Sequence, residues 1–464
     1  MRKVIFYSLA GIFMLILSAD LFAQNVTIDG VFRPRYEYRH GFQTIFPENA
    51  QAANYISQRS RLNLKFTHDK FKVGFSIQNV GVWGETGTLR KSDINGTMIY
   101  QAWGEILFSE KFSIKAGRQE IIYDDHRIFG SVDWAQQGRS HDALLFKYKN
   151  ENAGKFDVGI AYNALQESNE KLYYNINNYK ALQYLHWNKK FNTVAVSFLF
   201  LNNGRTYVNP HDTTDAGVAK ENIAYTQTIG ARGTYKKEKL SGNIAFYYQG
   251  GKKALRDVLP GGNDTTMKTS AMYFAFDVAF QVHEMFSVGL GVEYLSGNDE
   301  KEIADSDNGK ETEKAFSPFY GTNHKFNGWM DYFYVGKHFY SVGLMDIYIP
   351  LKFKKDKFSA MLIPHFFSSA GTAYRQERDD EGMPVYDDNG VAVMKEYDKG
   401  LGTEVDIVFG YNVGKNVSLK AGYSMMFASE TMEVIKLDYG VLPASSNSWG
   451  WVMLVFKPTF YQSK

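Results

Sequence analysis

The 464-residue chain contains no cysteine, which excludes disulfide staples, thiolate metal sites, a cysteine nucleophile and a lipid-modified cysteine behind a leader peptide. A lipoprotein is therefore ruled out. Proline is scarce, at 10 residues, and no Pro/Ser-rich linker or shift of composition divides the chain into domains. Charge of one sign is also missing. The 52 Lys+Arg nearly cancel 50 Asp+Glu, leaving +2, so neither a nucleic-acid partner nor an acidic disordered chain is expected. Long apolar runs are absent as well, except for Val4 to Leu17 at the extreme N-terminus, which is too short for the roughly 20 residues of a spanning helix.

That one run has a different explanation. Arg2 and Lys3 precede it and Ser18-Ala19-Asp20-Leu21-Phe22-Ala23-Gln24 follows it, the arrangement of a secretory leader cleaved after a small residue. Cleavage after Ala23 divides the chain into a leader, residues 1–23, and one exported domain, residues 24–464.

What the chain has in abundance is aromatic residues, 16% of the total, arranged with a period of two. From Ser270 to Gln281, Met272, Phe274, Phe276, Val278 and Phe280 alternate with Ala271, Tyr273, Ala275, Asp277 and Ala279. The same alternation runs through Phe286 to Tyr294, Leu240 to Tyr248 and Glu404 to Tyr411. One face is apolar and the other small or polar, which is the pattern of a β-strand between two media. These strands are about twice the five or six residues of an ordinary globular strand and match tilted strands that cross a bilayer.

The connections separate a membrane barrel from a soluble sandwich. Short turns are expected at 67–70, 109–111, 150–155, 189–190, 236–239, 282–284, 352–357 and 413–416. Between them lie nine longer stretches, at 40–55, 83–96, 122–140, 165–181, 203–222, 251–268, 296–338, 369–400 and 428–446. Strict alternation of nine long and eight short links joins 18 strands, with 16 as the nearest alternative. An even number of antiparallel strands, short periplasmic turns, long outer loops and both termini on the short-turn side describe a Gram-negative outer-membrane β-barrel, an all-β fold. Closure satisfies every backbone donor without an edge strand.

A barrel of this size holds an aqueous lumen, and a lipid-facing Arg or Lys at midplane costs about 2–4 kcal/mol, so charged positions point inward. On the first strand this sends Asp29, Arg33, Arg35, Glu37 and Arg39 into the lumen and Val26, Ile28, Phe32, Tyr36 and Tyr38 to lipid. On the second, Arg59, Arg61 and Lys65 go inward and Leu62, Leu64 and Phe66 outward. Lys72, Lys115 and Lys420 extend this basic wall, while Asp277, Glu293, Asp346, Glu404 and Asp406 form an acidic wall elsewhere; Glu105, Asp157 and Arg232 depart from the division. Opposed walls of this kind predict a transverse field across a wet constriction.

The run Gly117-Arg118-Gln119-Glu120-Ile121-Ile122-Tyr123-Asp124-Asp125-His126-Arg127-Ile128-Phe129-Gly130, then Asp133-Trp134 and Gln137-Gly138-Arg139-Ser140-His141-Asp142, resembles the signature of the alginate export family of outer-membrane proteins. Arg33-Pro34-Arg35-Tyr36-Glu37-Tyr38-Arg39, Tyr320-Gly321-Thr322-Asn323-His324-Lys325-Phe326-Asn327-Gly328 and Leu401-Gly402-Thr403-Glu404-Val405-Asp406 are similar to it as well. The resemblance implies an 18-stranded monomeric barrel whose arginine-rich constriction passes an anionic polysaccharide. It points to Arg33, Arg35, Arg118, Arg127 and Arg139 as lumen residues, with Asp133 and Asp142 as their pairing partners. Arg118 shares parity with Phe112, Ile114 and Ala116, so it reaches the lumen only through a bulge at Gly117 or where the strand has already left the membrane.

No catalytic motif accompanies this pattern: there is no G-x-S-x-G elbow, H-E-x-x-H or P-loop. The loop acids Asp305, Asp307 and Asn308, and Asp387, Asp388 and Asn389, each precede a glycine but lack calcium-loop spacing. Neither metal nor cofactor is expected. Trp103, Tyr225, Tyr294 and Trp449 at strand ends are assigned to the aromatic belts at the membrane interfaces. The leading expectation is a passive, non-enzymatic channel for an anionic saccharide or small anionic solutes, with outer-membrane lipid and periplasmic export or binding proteins as partners. A diffusion porin for other solutes is the alternative, ahead of an adhesin built on the long loops or an outer-membrane hydrolase.

Overall fold

Along each long segment, β-branched and aromatic side chains on one parity meet small or polar ones on the other, which fits a pleated surface between two solvents. The computed structural model describes residues 25–89, 96–169, 179–213, 219–254, 266–306, 311–333 and 342–463. The expected leader lies outside the described residues.

Eighteen antiparallel strands close into a barrel. They are β1 (Asn25–His40), β2 (Ala53–Thr67), β3 (Phe71–Val82), β4 (Met98–Leu107), β5 (Phe112–Gln119) and β6 (His141–Asn150). Next come β7 (Gly154–Tyr162), β8 (Ala181–Phe191), β9 (Val194–Thr213), β10 (Ala219–Lys237), β11 (Leu240–Ala254) and β12 (Thr266–His283). The circuit is completed by β13 (Phe286–Leu295), β14 (Leu344–Tyr348 with Leu351–Lys355), β15 (Phe358–Ser368), β16 (Gly400–Gly414), β17 (Val417–Ala428) and β18 (Asn447–Phe456 with Thr459–Gln462). Neighbours in sequence are neighbours in the wall, and β18 returns to β1 with Arg35 opposite Met453 and Glu37 opposite Trp451. The two interruptions fall at Pro350 and Pro458. A proline has no N–H to give, yet each carbonyl still accepts, from Gly289 N at 2.9 Å and Gly30 N at 3.0 Å respectively.

Hairpin turns lie at one end of the barrel, several with a residue in the left-handed region: Asn192 (φ 44°), Glu238 (φ 49°) and Asp356 (φ 51°). The turn expected at Lys189–Lys190 forms instead after Phe191. Lys189, Lys190 and Phe191 stay in the ladder opposite Val196, Ala195 and Val194, because Asn192 tolerates positive φ where Lys gains nothing from it.

The two parities separate cleanly. Phe32, Leu62, Phe276, Leu290, Phe409 and Val452 are 40–51% exposed on the outer face, a lipid-facing apolar surface. Their chain neighbours on the inner parity are buried or half-buried, and where the outer loops turn back into the barrel they pack against this face. Two aromatic assignments are corrected. Trp449 is fully buried inside the lumen, donating Nε1 to Glu37 at 3.1 Å, and Trp103 also points inward, beneath the Lys115 ammonium at 3.8 Å. Tyr225 and Tyr294 lie on the outer parity, opposite Gly204 and Phe274.

Candidate functional site: a lumen crossed by two anchored loops

Two segments cross the lumen. Loop A, residues 120–140, joins β5 to β6; loop B, residues 311–333, belongs to the β13–β14 connection. They form one plug. Gly130 N donates to Tyr320 O at 2.9 Å and Thr322 N to His126 O at 2.9 Å. Val132 N donates to Thr322 Oγ1 at 3.0 Å, and Arg139 Nη1 to Gly321 O at 3.1 Å. Trp134 stacks on His324 with ring centres 4.4 Å apart and meets Trp449 and Trp451 edge-on. His324 in turn bonds buried Asp331 at 2.9 Å.

The arginines of β1 and β2 hold loop A. Residues of the same parity two apart stack along one face of a strand, so Arg33 and Arg35 on β1, with Arg59 facing Arg33 on β2, aim three guanidiniums at one turn. Arg59 Nη1 bonds Asp133 Oδ1 at 2.6 Å, Nη2 reaches the carbonyls of Ala135 (2.6 Å) and Asp133 (3.2 Å), and Nε donates to Gln136 O. Arg33 adds Gln136 Oε1 at 3.0 Å, Trp134 O at 3.2 Å and Asp133 Oδ2 at 3.4 Å. Arg35 donates to Trp134 O at 2.7 Å and lies over the Trp134 ring at 4.0 Å. A guanidinium carries five donors in a planar fork, which suits a cluster of carbonyl acceptors better than an ammonium would. Gln136 fastens the turn to the wall by donating to Ser57 Oγ at 3.1 Å.

Asp133 is the exposed member of this latch, 63% accessible at its side chain while Arg33 and Arg59 are 6% and 1%. Burial pushes its carboxyl up; Arg33 and then Arg59 more than reverse this and hold it below the usual carboxylate value. Beside the latch, Arg35 and Arg39 share Glu37, at 2.8 and 2.9 Å, and Arg61 bonds Gln78 and covers the Tyr100 ring at 3.5 Å. Lys65 is exposed further toward the periplasmic end.

The acidic wall holds loop B by the same logic with the signs reversed: carboxylates accept from backbone N–H groups. Glu404 accepts from Met330 N at 2.8 Å and Asp406 from Trp329 N at 3.1 Å. Asn327 donates to Glu293 at 2.8 Å, and Arg127 pairs with Glu293 at 3.2 Å and donates to Asn327 at 2.9 Å. His365 sits between Asp346 (3.0 Å) and Asp406 (3.6 Å). Gly328 is required at the seat: its φ is +79°, and a Cβ there would lie 2.6 Å from the Glu404 carboxylate.

The expected site residues therefore fall into three groups. Arg33, Arg35 and Arg59 grip loop A, Asp133, Arg127 and Arg139 belong to that loop, and Glu404 and Asp406 hold loop B, while Arg39 and Arg61 stand beside the latch on Glu37 and Gln78. Lys65 faces open lumen. Arg118 and Asp142 point away from it. They pair with each other at 2.9 Å on the outer parity, 36% and 59% exposed. Gly117 does take a left-handed φ of +118°, but the ladder runs without a shift through Ala102, Arg118 and Asp142, so Arg118 keeps the parity of Ile114 and Ala116. The two walls expected to face open lumen are partly occupied: Arg33, Arg35 and Arg59 anchor loop A, and Glu293, Asp346, Glu404 and Asp406 anchor loop B. Sequence reasoning missed Gln136 of loop A and, on the inner face, Ser57, Lys147, Lys149 and Lys155; the available signal was the parity shared with inward Leu145 for Lys147 and Lys149 and with Asp157 for Lys155.

The alginate export family matches this sequence over residues 24–434. The chain belongs to that family. No curated protein matches it. Solved outer-membrane channels share the fold of this alginate-export-family barrel at low identity. OccAB1 of Acinetobacter baumannii is 12% identical with a TM-score of 0.57, covering 96% of this chain and 99% of its own. OccK2 (OpdF) of Pseudomonas aeruginosa, solved in complex with glucuronate, is 10% identical with a TM-score of 0.56, covering 94% and 98%. OccK8 (OprE) of the same organism is 8% identical with a TM-score of 0.55, covering 94% and 98%. This family member is an outer-membrane β-barrel of the porin-like channel type. Among the described residues no cluster of His, Asp and Glu has metal-site geometry; Asp387 accepts from the N–H groups of Asn389 and Val391, closing its own turn. Asp307, Asn308 and Gly309 lie outside the described residues.

Proposed function

We propose that the barrel is a passive, anion-preferring channel that carries a carboxylate-bearing saccharide across the outer membrane. The observation that carries this reading is an asymmetry in which charges meet water. Glu293, Asp346, Glu404 and Asp406 are 0–4% exposed beneath loop B. On the opposite side the Arg39 side chain is 33% exposed, Arg61 is half-buried, and Lys65 and Lys420 stand open in the periplasmic half. A solute in the lumen thus feels the basic wall more than the acidic one, and low-dielectric walls focus that field. The family's named cargo and the glucuronate held by a channel of the same fold support a uronate as the solute class.

The test is swelling of proteoliposomes in isotonic glucuronate against glucose. Glucuronate enters faster through the parent channel, and R39Q with R61Q brings the two rates together. Equal rates in the parent would overturn the proposal.

A further inference from the structure

Below the plug, at the periplasmic end of the wall, the inner faces of β3 to β7 enclose a cavity of about 400 Å³. This is within the range of small-molecule sites, about 300–1,000 Å³, and is large enough for a short oligosaccharide. Lys72, Lys111, Lys147, Lys149 and Lys155 line it, against Glu105, Glu110 and Asp157.

Two of the three acids are already engaged. Glu105 accepts from Ser113 Oγ at 2.7 Å and pairs with Lys147 at 3.3 Å, and Asp157 accepts from Tyr123 of loop A at 2.8 Å. Among the described residues Lys72, Lys111, Lys149 and Lys155 make no ion pair. Lys149 and Lys155 are moreover direct cross-strand partners on the same inner face. Like charges directly opposite each other disfavour a sheet, so this exposed pair favours an anion close to the two ammoniums. The lysines come from three strands and a turn, along the line a solute would follow from the periplasm to the plug.

We infer that this cavity is a receiving site for consecutive carboxylates of an oligouronate presented from the periplasmic side. The inference rests on the proposed function and adds to it a location and a side. Lysine suits the role: a mobile ammonium gives charge without the fixed bidentate geometry that would trap a passing carboxylate.

The experiment is single-channel recording in planar bilayers, with a tetra-uronate added to one side at a time and maltotetraose as the neutral control. Tetra-uronate should block current at lower concentration from the periplasmic side, and K147Q/K149Q/K155Q should weaken that block roughly tenfold, the effect of three exposed charges being reduced by screening. The matching Lys→Arg variant should retain it, which separates charge from damage to the fold. Equal block from both sides, block by maltotetraose, or an unaltered block in the triple Gln variant would overturn the receiving site while leaving an anion channel intact. Loss of anion preference in the unmodified protein would instead overturn the channel reading on which the site rests.

Discussion

Replacing Arg59 by Gln should free loop A from the wall. Its guanidinium is 1% exposed and serves the Asp133 carboxylate and the carbonyls of Asp133, Ala135 and Gln136 at once. Each hydrogen bond from a charged donor is worth about 1.5–3 kcal/mol, and the contributions are not additive. Arg33 and Arg35 still grip the same turn, so we set the shift of the closed–open equilibrium at about 3 kcal/mol, roughly a hundredfold at 1.4 kcal/mol per decade. Asp133→Asn is a contrasting case. That carboxylate is 63% exposed, so screening reduces its share to about 1 kcal/mol, roughly fivefold. Because the protein has no cysteine, Ser57→Cys supplies a single thiol on the wall beneath Gln136, at a position 8% exposed in the closed state. Reaction with a membrane-impermeant thiol reagent then reports the opening. We expect labelling about a hundredfold faster in R59Q and about fivefold faster in D133N. An R59Q rate within about threefold of the parent would refute the latch.

The same thiol reads pH. Because Asp133 is held below its usual value, its contribution is complete above the unfolded carboxylate value of about 3.9 and is lost as pH falls through the lower folded value; labelling should be flat from neutral pH to about 5, rise only below about 4, and lose that rise in D133N. Gly328→Ala should unseat loop B by about 1–3 kcal/mol through positive-φ strain and the Glu404 contact, seen as faster proteolysis within residues 311–333 of the folded barrel. Arg118→Gln removes an exposed outer-face pair worth at most about 1 kcal/mol and should leave ion selectivity unchanged; a changed reversal potential would place Arg118 in the lumen. Phe276→Arg puts a charge on the lipid face and should lower barrel stability by about 2–4 kcal/mol, measured by urea unfolding in lipid vesicles.

The wall was legible because each strand faces two solvents, and Met272 to Phe280 or Arg33 to Arg39 can satisfy both in only one orientation. The plug was not. Loops A and B fall in the long outer connections and carry no period of two, and what draws them inward is long-range: burial of Ile121, Ile128, Phe129, Phe316, Met330 and Tyr332 in one apolar cluster, the match of Asp133 and four carbonyls to arginines far away in sequence, and that of the N–H groups of Trp329 and Met330 to Asp406 and Glu404. A row of arginines looks the same whether it faces water or a folded turn. Trp449 was misplaced for a related reason. A tryptophan near a strand end suggests the interface, yet β18 is apolar on both parities, with Val452 and Leu454 outward and Trp449, Trp451, Met453 and Val455 inward, the pattern of a strand buried on both faces. Arg118 shows the converse: its parity was readable, and the ladder upheld it over the role the resemblance implied.

An anion-preferring channel requires an aqueous lumen in which the basic wall outweighs the acidic one. The most direct measurement is the zero-current potential of the purified protein in a planar bilayer under a salt gradient. The predicted result is a conducting pore with a potential of the sign set by anion permeation; a pore that prefers cations, or a bilayer that stays insulating after insertion, would contradict it.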